Sequence, residues 1–499
     1  MKRSIFGTLV MMEGVFLLLS VIVSLHYKFT EGENDWLPLT ATAGLCLLIG
    51  SIARFAFKPN KETARLTRAD SFLVVTLSWV AMTALGTIPF IWLLGIDFAS
   101  AFFETMSGFT TTGATVLSRL DTMPHGLLFW RALTHWMGGL GIVVFSFALL
   151  PTYDMKNSNV FSAEVTGIGL DKLRPKIGST ARRLLVIYLS LTLICTVTYW
   201  IGPMNLFDAT CHAMSTIATG GFSTHDRSIA FFGSSYLEYI SVIFMLLASI
   251  NFSLYYYASI RRPKVLWRNE EMRTFLGIWI FAVALYVAFF MWAPVPQEAL
   301  ATLPPKGEAQ LRTALFHTTS VMTTTGFQGQ YFDYVSWGDS FWMPTVVIMS
   351  IGGCAGSTAG GSKVIRILIC AKSVLKEFVL QLHPRAIRSI KISGQVIPDD
   401  RVRRTLAFIF LYILLVIGGM VVFSILGLDV DTSIGSCISM LSNVGPGTGS
   451  VGPSSNFAHV HWFSKLLMSF YMLVGRLEIY TVLFLFMPSF WRERSKNAK

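Results

Sequence analysis

Charge is scarce in this chain. Only 14% of its 499 residues are charged, against 53% hydrophobic, where a soluble globular protein carries about a quarter charged residues. That shortage excludes the string of soluble domains that length alone would suggest. Cysteine is sparse as well. Cys46, Cys195, Cys211, Cys354, Cys370 and Cys437 form no C-x-x-C pair, and all lie in apolar segments. They read as small buried residues, not as a disulfide framework. No nucleophile–base arrangement stands out, and the loops are too short to hold a catalytic domain, which argues against an enzyme. No small-residue cleavage site follows the first apolar segment, although Lys2 and Arg3 precede it. A second apolar run follows at once, so the segment reads as a retained helix.

What the chain has instead is apolar runs of about 20 residues, each long enough to cross a bilayer. Ten are expected, at about 5–27, 37–57, 70–95, 126–150, 181–203, 235–260, 272–294, 339–382, 402–427 and 461–489. The eighth is too long for one crossing and is interrupted by glycines. The net charge of +12 sits in alternate loops: Arg54 to Arg68, Lys172 to Arg183, Arg261 to Arg268, Arg385 to Arg404, and the tail. The loops between them carry Glu31, Glu33, Asp35, Asp97, Asp121, Asp208, Asp226, Asp429 and Asp431. This alternation is the positive-inside pattern of a protein in a lipid bilayer, not a nucleic-acid surface, and it puts both termini in the cytoplasm.

Four shorter apolar pieces sit between spans three and four, five and six, seven and eight, and nine and ten. They are Ala101 to Ala114, Ala209 to Phe222, Ala314 to Phe327 and Ser433 to Pro446. Stacked without gaps, they share a serine six residues before a glycine: Ser107 with Gly113, Ser215 with Gly221, Ser320 with Gly326, Ser439 with Gly445. The pieces are long enough to reach only partway through a membrane. Irregular backbone at that depth must be buried in protein or line a water-filled path.

These internal repeats set the expected fold. It is an all-α polytopic membrane protein of four pseudo-symmetric repeats, each helix, half-helix, filter strand and helix, around a central pore. The expected units are a two-helix segment at 1–60 and pore repeats at 61–170, 171–265, 266–395 and 396–499. The third has a broken second helix.

Four glycine strands around one axis pool their carbonyls into rings that can replace the water of a cation such as potassium. The candidate ligands are Thr111, Thr112 and Gly113; Thr219, Gly220 and Gly221; Thr324, Thr325 and Gly326; and Asn443, Val444 and Gly445. Asn443 and Val444, and Ala218 and Gly220, depart from the threonine pattern, so the rings are not chemically fourfold. The half-helices point their C-terminal ends, where the dipole favours a cation, at the pore.

Three further features stand out. Gly352 to Lys363 superficially suggests a phosphate loop, but Ser362 separates the glycine from Lys363 and a membrane span precedes it. Its Gly352, Gly353, Gly356, Gly360 and Gly361 suit either close helix packing or a flexible loop across the path. Arg476 lies within the last apolar span, where a charge faces the bundle interior or a water-filled path. It is either a structural charge neutralised by Glu478 or Glu104, or a charge facing such a path. Glu104, His212, His317 and Ser436 hold matching places in the four short pieces. They read as hydrogen-bonding groups that fix the half-helices, not as a metal site.

The motifs Phe109 to Thr115, Trp136 to Phe145, Thr219 to Ser223, Thr323 to Gln328, Ile351 to Val364 and Gly475 to Phe484 resemble those of the Trk/Ktr/HKT superfamily of potassium transporters. Within it, the chain is most similar to the membrane subunits of bacterial Trk uptake systems, whose two extra N-terminal helices it shares. The resemblance implies potassium uptake across the inner membrane. It also implies a gating role for the Gly352–Gly361 loop beside Arg476, and a homodimer. The implied partner is a cytosolic TrkA-like RCK ring, which would hold the regulatory nucleotide. Glycine at all four strand ends, Gly113 included, matches the potassium-selective members. Two relatives offer other readings: a sodium-coupled Ktr-type carrier, or a KdpA-like subunit of an ATP-driven pump.

Overall fold

The computed structural model describes residues 2–55, 68–139, 141, 177–260 and 263–496. Lys58, Lys61, Arg65, Lys172, Arg174, Lys176, Arg261 and Arg262, the motif residues 140 and 142–145, and the far half of the span expected at 126–150 lie outside the described residues. So do the expected unit boundaries near 60 and 170.

The described chain is mostly helical. Lipid offers backbone amides and carbonyls no partner, and a helix satisfies them within one segment. Six helices are long and apolar enough to cross a membrane, or up to eight if two bent pairs each count as one span. The expected ten also included 126–150, described only as far as Gly139, and 339–382. The latter forms two helices, Asp339–Ile351 and Val364–Leu382, separated by the glycine-rich loop. Its excess length is therefore a break.

Two other helices break as well. Ser235–Ser249 turns by 90° into Phe252–Ser259, with Asn251 capping the second arm through Ser253 N. Trp462–Arg476 turns by 120° into Ile479–Phe486, with Glu478 in the left-handed region at the corner. The three breaks meet. Cys354 N donates to the Ser249 carbonyl at 3.0 Å, and Phe252 N to the Gly356 carbonyl at 3.0 Å. The Arg476 guanidinium donates to the Thr358 carbonyl at 2.7 Å.

The four short pieces form Phe98–Phe109, Leu206–Ala218, Glu308–Met322 and Val430–Ser442. Three begin at a side-chain cap that satisfies an orphan amide: Asp97 to Ser100 N, Asn205 to Asp208 N, Asp429 to Thr432 N. One large apolar cluster joins the N-terminal helices to the first and fourth short helices and to Trp462–Arg476. Two others enclose the second and third. Large apolar side chains such as Ile22, Leu193, Phe281 and Phe410 remain exposed on the long helices, as surfaces facing hydrocarbon require. A two-stranded antiparallel hairpin, Lys391–Ile392 with Gln395–Val396, precedes the Asp399–Ile425 helix.

Candidate functional site

Each short helix ends in the same way. Thr111, Thr219, Thr324 and Asn443 take φ of 51°, 55°, 55° and 56°. Two residues later Gly113, Gly221, Gly326 and Gly445 take 83°, 88°, 75° and 107°. The residue between them donates its amide to the carbonyl of the shared serine: Thr112 to Ser107, Gly220 to Ser215 and Thr325 to Ser320 at 2.9 Å, Val444 to Ser439 at 3.0 Å. The serine that marks the repeat in the sequence is thus the backbone anchor of its strand.

The glycines close a circuit. A Cβ on Gly113 would lie 2.0 Å from the Gly220 oxygen, and one on Gly221 2.0 Å from the Thr325 oxygen. One on Gly326 would lie 2.1 Å from the Val444 oxygen, and one on Gly445 2.6 Å from the Thr112 oxygen. Each strand therefore rests on the next in the order one, two, three, four and back to one. No side chain fits in these contacts, and each needs a left-handed backbone, so glycine is required twice over. The same four glycines line one cavity, with Arg131, Ser223, His225 and Gln328 on its walls. All twelve sequence-derived strand residues are brought together here.

The strands are braced differently. In the first and third, the outer threonines hydrogen-bond each other at 2.8 Å, Thr110 with Thr112 and Thr323 with Thr325. The second strand lacks that pair, and His135 takes its place. A Cβ on Gly220 would lie 2.3 Å from His135 Nδ1. The imidazole faces the Ser215 hydroxyl at 3.1 Å and stacks on Phe222 at 3.9 Å. In the fourth, Asn443 Nδ2 donates to Thr112 Oγ1 at 3.0 Å and to the Met472 carbonyl at 2.9 Å.

Charged pairs tie the units together. Glu104 accepts from Arg131 Nε at 2.7 Å and from Val116 N at 2.9 Å. Arg131 also donates to the Ser223 carbonyl at 2.7 Å and covers Phe222 at 3.6 Å, joining the first short helix to the second strand. Arg312 pairs with buried Glu238 and with Glu308, and Lys465 donates to Ser100 Oγ at 2.9 Å. The expected fixing role of the matched positions holds for three of them. Glu104 binds the strand that leaves its glycine, His212 binds Ser223 Oγ at 2.9 Å, and His317 binds Thr345 Oγ1 at 3.0 Å. Ser436 Oγ has no hydrogen-bond partner among the described residues.

At the cavity rim His225 meets Asp121, at 2.5 Å, and Asp208, at 3.3 Å. Burial works against its charge, but the hydrogen bonds that Asp208 and Asp121 accept from it outweigh that and hold its pKa above the ordinary imidazole value.

The glycine-rich loop lies against the other side of the strands. Gly360 N donates to Thr324 Oγ1 at 2.6 Å, and Gly361 N to the Ser442 carbonyl at 2.9 Å. Thr358 Oγ1 donates to the Ile217 and Ala248 carbonyls at 3.0 and 3.1 Å. The loop thus reaches the ends of the second, third and fourth short helices. Arg476 supplies the link to the first. It donates to the Gly138 and Gly139 carbonyls as well as to Thr358, and Gly138 is pressed on the Phe109 carbonyl. Of the two carboxylates weighed as its neutralising partners, Glu104 pairs with Arg131 and Glu478 with Arg366. Gly352 and Gly353 lie where the loop folds back on Gly360 and Ala359, and Gly356 abuts Asn251.

Sequence reasoning missed Arg131 and His135, which lie on the His125–Gly139 helix. Glu104 was the available signal, because a carboxylate in an apolar half-helix requires a buried cation.

The model of the TrkH family, described as a cation transport protein, matches residues 39–493. The Trk system potassium uptake protein TrkH of Salmonella typhimurium is 37% identical over 496 residues, covering 98% of each chain. The protein of the same name from Escherichia coli strain K12 gives the same values. The crystal structure of the potassium transporter TrkH from Vibrio parahaemolyticus superposes with a TM-score of 0.84 at 33% identity, covering 98% of this chain and 99% of that one. The chain is therefore a membrane protein that belongs to the TrkH family of Trk potassium uptake transporters.

Proposed function

We propose that this chain carries potassium across the inner membrane through the four glycine strands. The observation that carries this reading is the closed circuit in which each strand-end glycine rests on a carbonyl of the next strand. Carbonyls held in such a ring can replace a cation's water, and the relatives' printed names specify potassium uptake. Thr111–Gly113, Thr219–Gly221, Thr324–Gly326 and Asn443–Gly445 are the ligand-bearing segments. The Gly352–Gly361 loop and Arg476 form the gate, because their contacts span the ends of all four short helices and consist of bonds that can break singly.

The wider architecture belongs to the same proposal: ten spans, four repeats divided as the sequence suggests, both termini cytoplasmic, and a homodimer on a cytosolic nucleotide-binding RCK ring. The first turns of the Asp399–Ile425 helix, with half-buried Arg401 and exposed Arg403 and Arg404, are the docking face for that ring. Charge reversal at these three arginines is expected to weaken recovery of the ring in a pull-down. Normal recovery moves the dock elsewhere.

The deciding experiment is rubidium uptake into a potassium-uptake-deficient strain, with and without a ring subunit. Uptake that needs the chain and rises with the ring supports the proposal. Absence of uptake in a well-expressed strain overturns it. Gly113→Ser is expected to weaken potassium-over-sodium discrimination, because its side chain meets the Gly220 carbonyl.

A further inference from the structure

Glu13 lies near the middle of the Lys2–Glu31 helix, away from the glycine strands, and is wholly buried. Neither carboxyl oxygen has a hydrogen-bond partner among the described residues. The polar group facing it is the Cys46 thiol of the Trp36–Phe55 helix. An ionised carboxylate buried with no donor beyond a weak thiol is too costly to hold, so the group is the neutral acid in this conformation. An ionisable side chain at membrane depth is costly and usually functional, and nothing in the ion path uses this one.

The charges on the surrounding helices are committed elsewhere. Arg54 donates to Thr8 Oγ1 at 2.6 Å, Glu104 pairs with Arg131, His135 faces Gly220, and Asp70 is buried in the first turn of Arg68–Gly86.

Two placements give the carboxyl a route and a consequence. Seven and eleven residues on, Ser20 and Ser24 fall on the same helix face, and both are fully buried. The Ser20 hydroxyl has no hydrogen-bond partner among the described residues. Ser24 donates to Asp35, whose second oxygen accepts from Leu127 N at 2.9 Å. A polar stripe thus runs from the acidic turn at Asp35 toward Glu13. On the other side, a Cβ on Gly86 would lie 3.2 Å from Glu13 Oε1, 2.9 Å from Thr105 and 3.3 Å from Trp130. Thr105 belongs to the first short helix, and Trp130 packs edge-on against Phe109 at its end.

We propose that Glu13 is a proton-binding site outside the ion path, loaded along Ser20 and Ser24 from Asp35, and that its ionisation loosens the packing behind the first short helix and so changes ion flux. On ionisation the proton leaves by that stripe to solvent. The carboxylate then needs water or a donor that this packing does not supply, and the Gly86–Thr105–Trp130 contact gives way. The flux half rests on the potassium-uptake reading, and the binding half does not.

The test uses the full chain in lipid nanodiscs and proteoliposomes, as the parent and as Glu13→Gln, a neutral isostere. Infrared difference spectra over a pH titration are expected to show a protonated-carboxyl stretch in the parent that disappears in the variant. Rubidium uptake is expected to lose in the variant the part of its pH dependence that Glu13 supplies. His225 and the buried carboxyls of Glu238 and Glu271 are present in both proteins, so the reading is the difference between them. Absence of a titrating carboxyl band from the parent-minus-variant difference overturns the binding half. Identical pH slopes overturn the flux half. If neither protein moves rubidium, the uptake reading fails while the infrared band still decides Glu13. Should Glu13→Gln not fold, Glu13→Asp replaces it, with a shifted band expected and an unshifted one overturning the assignment.

Discussion

In the ring of strands, each glycine stands against a neighbouring carbonyl at a distance no side chain can share. In the loop beneath it, glycines let the chain fold back on itself, while Thr358, Arg476 and Thr324 hold it with side-chain hydrogen bonds. The ring is a backbone circuit, and each strand is also anchored to its own serine carbonyl. Moving one strand disturbs the next, so the ring changes as a unit. The loop is held by separate bonds, each with a net worth of about 0.5–1.5 kcal/mol, or about 1.5–3 kcal/mol where a charge takes part. It can be loosened one contact at a time. The same residue type thus builds a part that must not move and a part that can.

The comparison breaks most visibly at Gly221. Gly221→Ala drives a Cβ onto the Thr325 carbonyl at a φ that costs a side chain about 1–2 kcal/mol by itself. Loss of rubidium uptake is expected even where the protein still reaches the membrane, and parental uptake would show that the circuit is not needed. Arg131→Ala leaves Glu104 buried without its cation. A destabilisation of about 3–5 kcal/mol is expected, read as a lower melting temperature in detergent, with Glu104→Gln recovering part of it.

The loop should respond in the opposite sense. Arg476→Ala removes bonds to the Thr358, Gly138 and Gly139 carbonyls, and a positive charge beside the path. Higher flux with weaker dependence on a cytosolic partner is expected, provided expression is normal. Flux no higher than the parent's ends the gate assignment. Thr358→Val removes two neutral bonds, and a smaller rise, on the order of a few-fold, is expected from their worth.

The smallest effect lies at the rim. The carboxylates raise the pKa of His225 above its unfolded value, ordinarily about 6.5. Their contribution to stability is therefore complete below that unfolded value and is lost as pH rises through the folded one. His225→Gln should lower the melting temperature in mildly acid solution, by the equivalent of about 1 kcal/mol at most. The difference should vanish at alkaline pH.

The sequence by itself determined the membrane class, the approximate place of the four short helices, and the four serine–glycine pairs that follow one spacing. These are local properties: apolar length, and a serine–glycine spacing repeated four times. It also marked 339–382 as broken, because 44 residues exceed one crossing. Only the tertiary structure decided that the second strand borrows His135, that Arg131 answers Glu104, and that Arg476 bonds carbonyls while Glu478 turns to Arg366. Likewise, the bends of 90° and 120° appear where three broken helices supply one another's missing hydrogen bonds. A run of apolar residues reads the same whether its helix continues or breaks. What selects the break is a partner a hundred or more residues away, and pairing across such distances leaves no periodicity in a single chain.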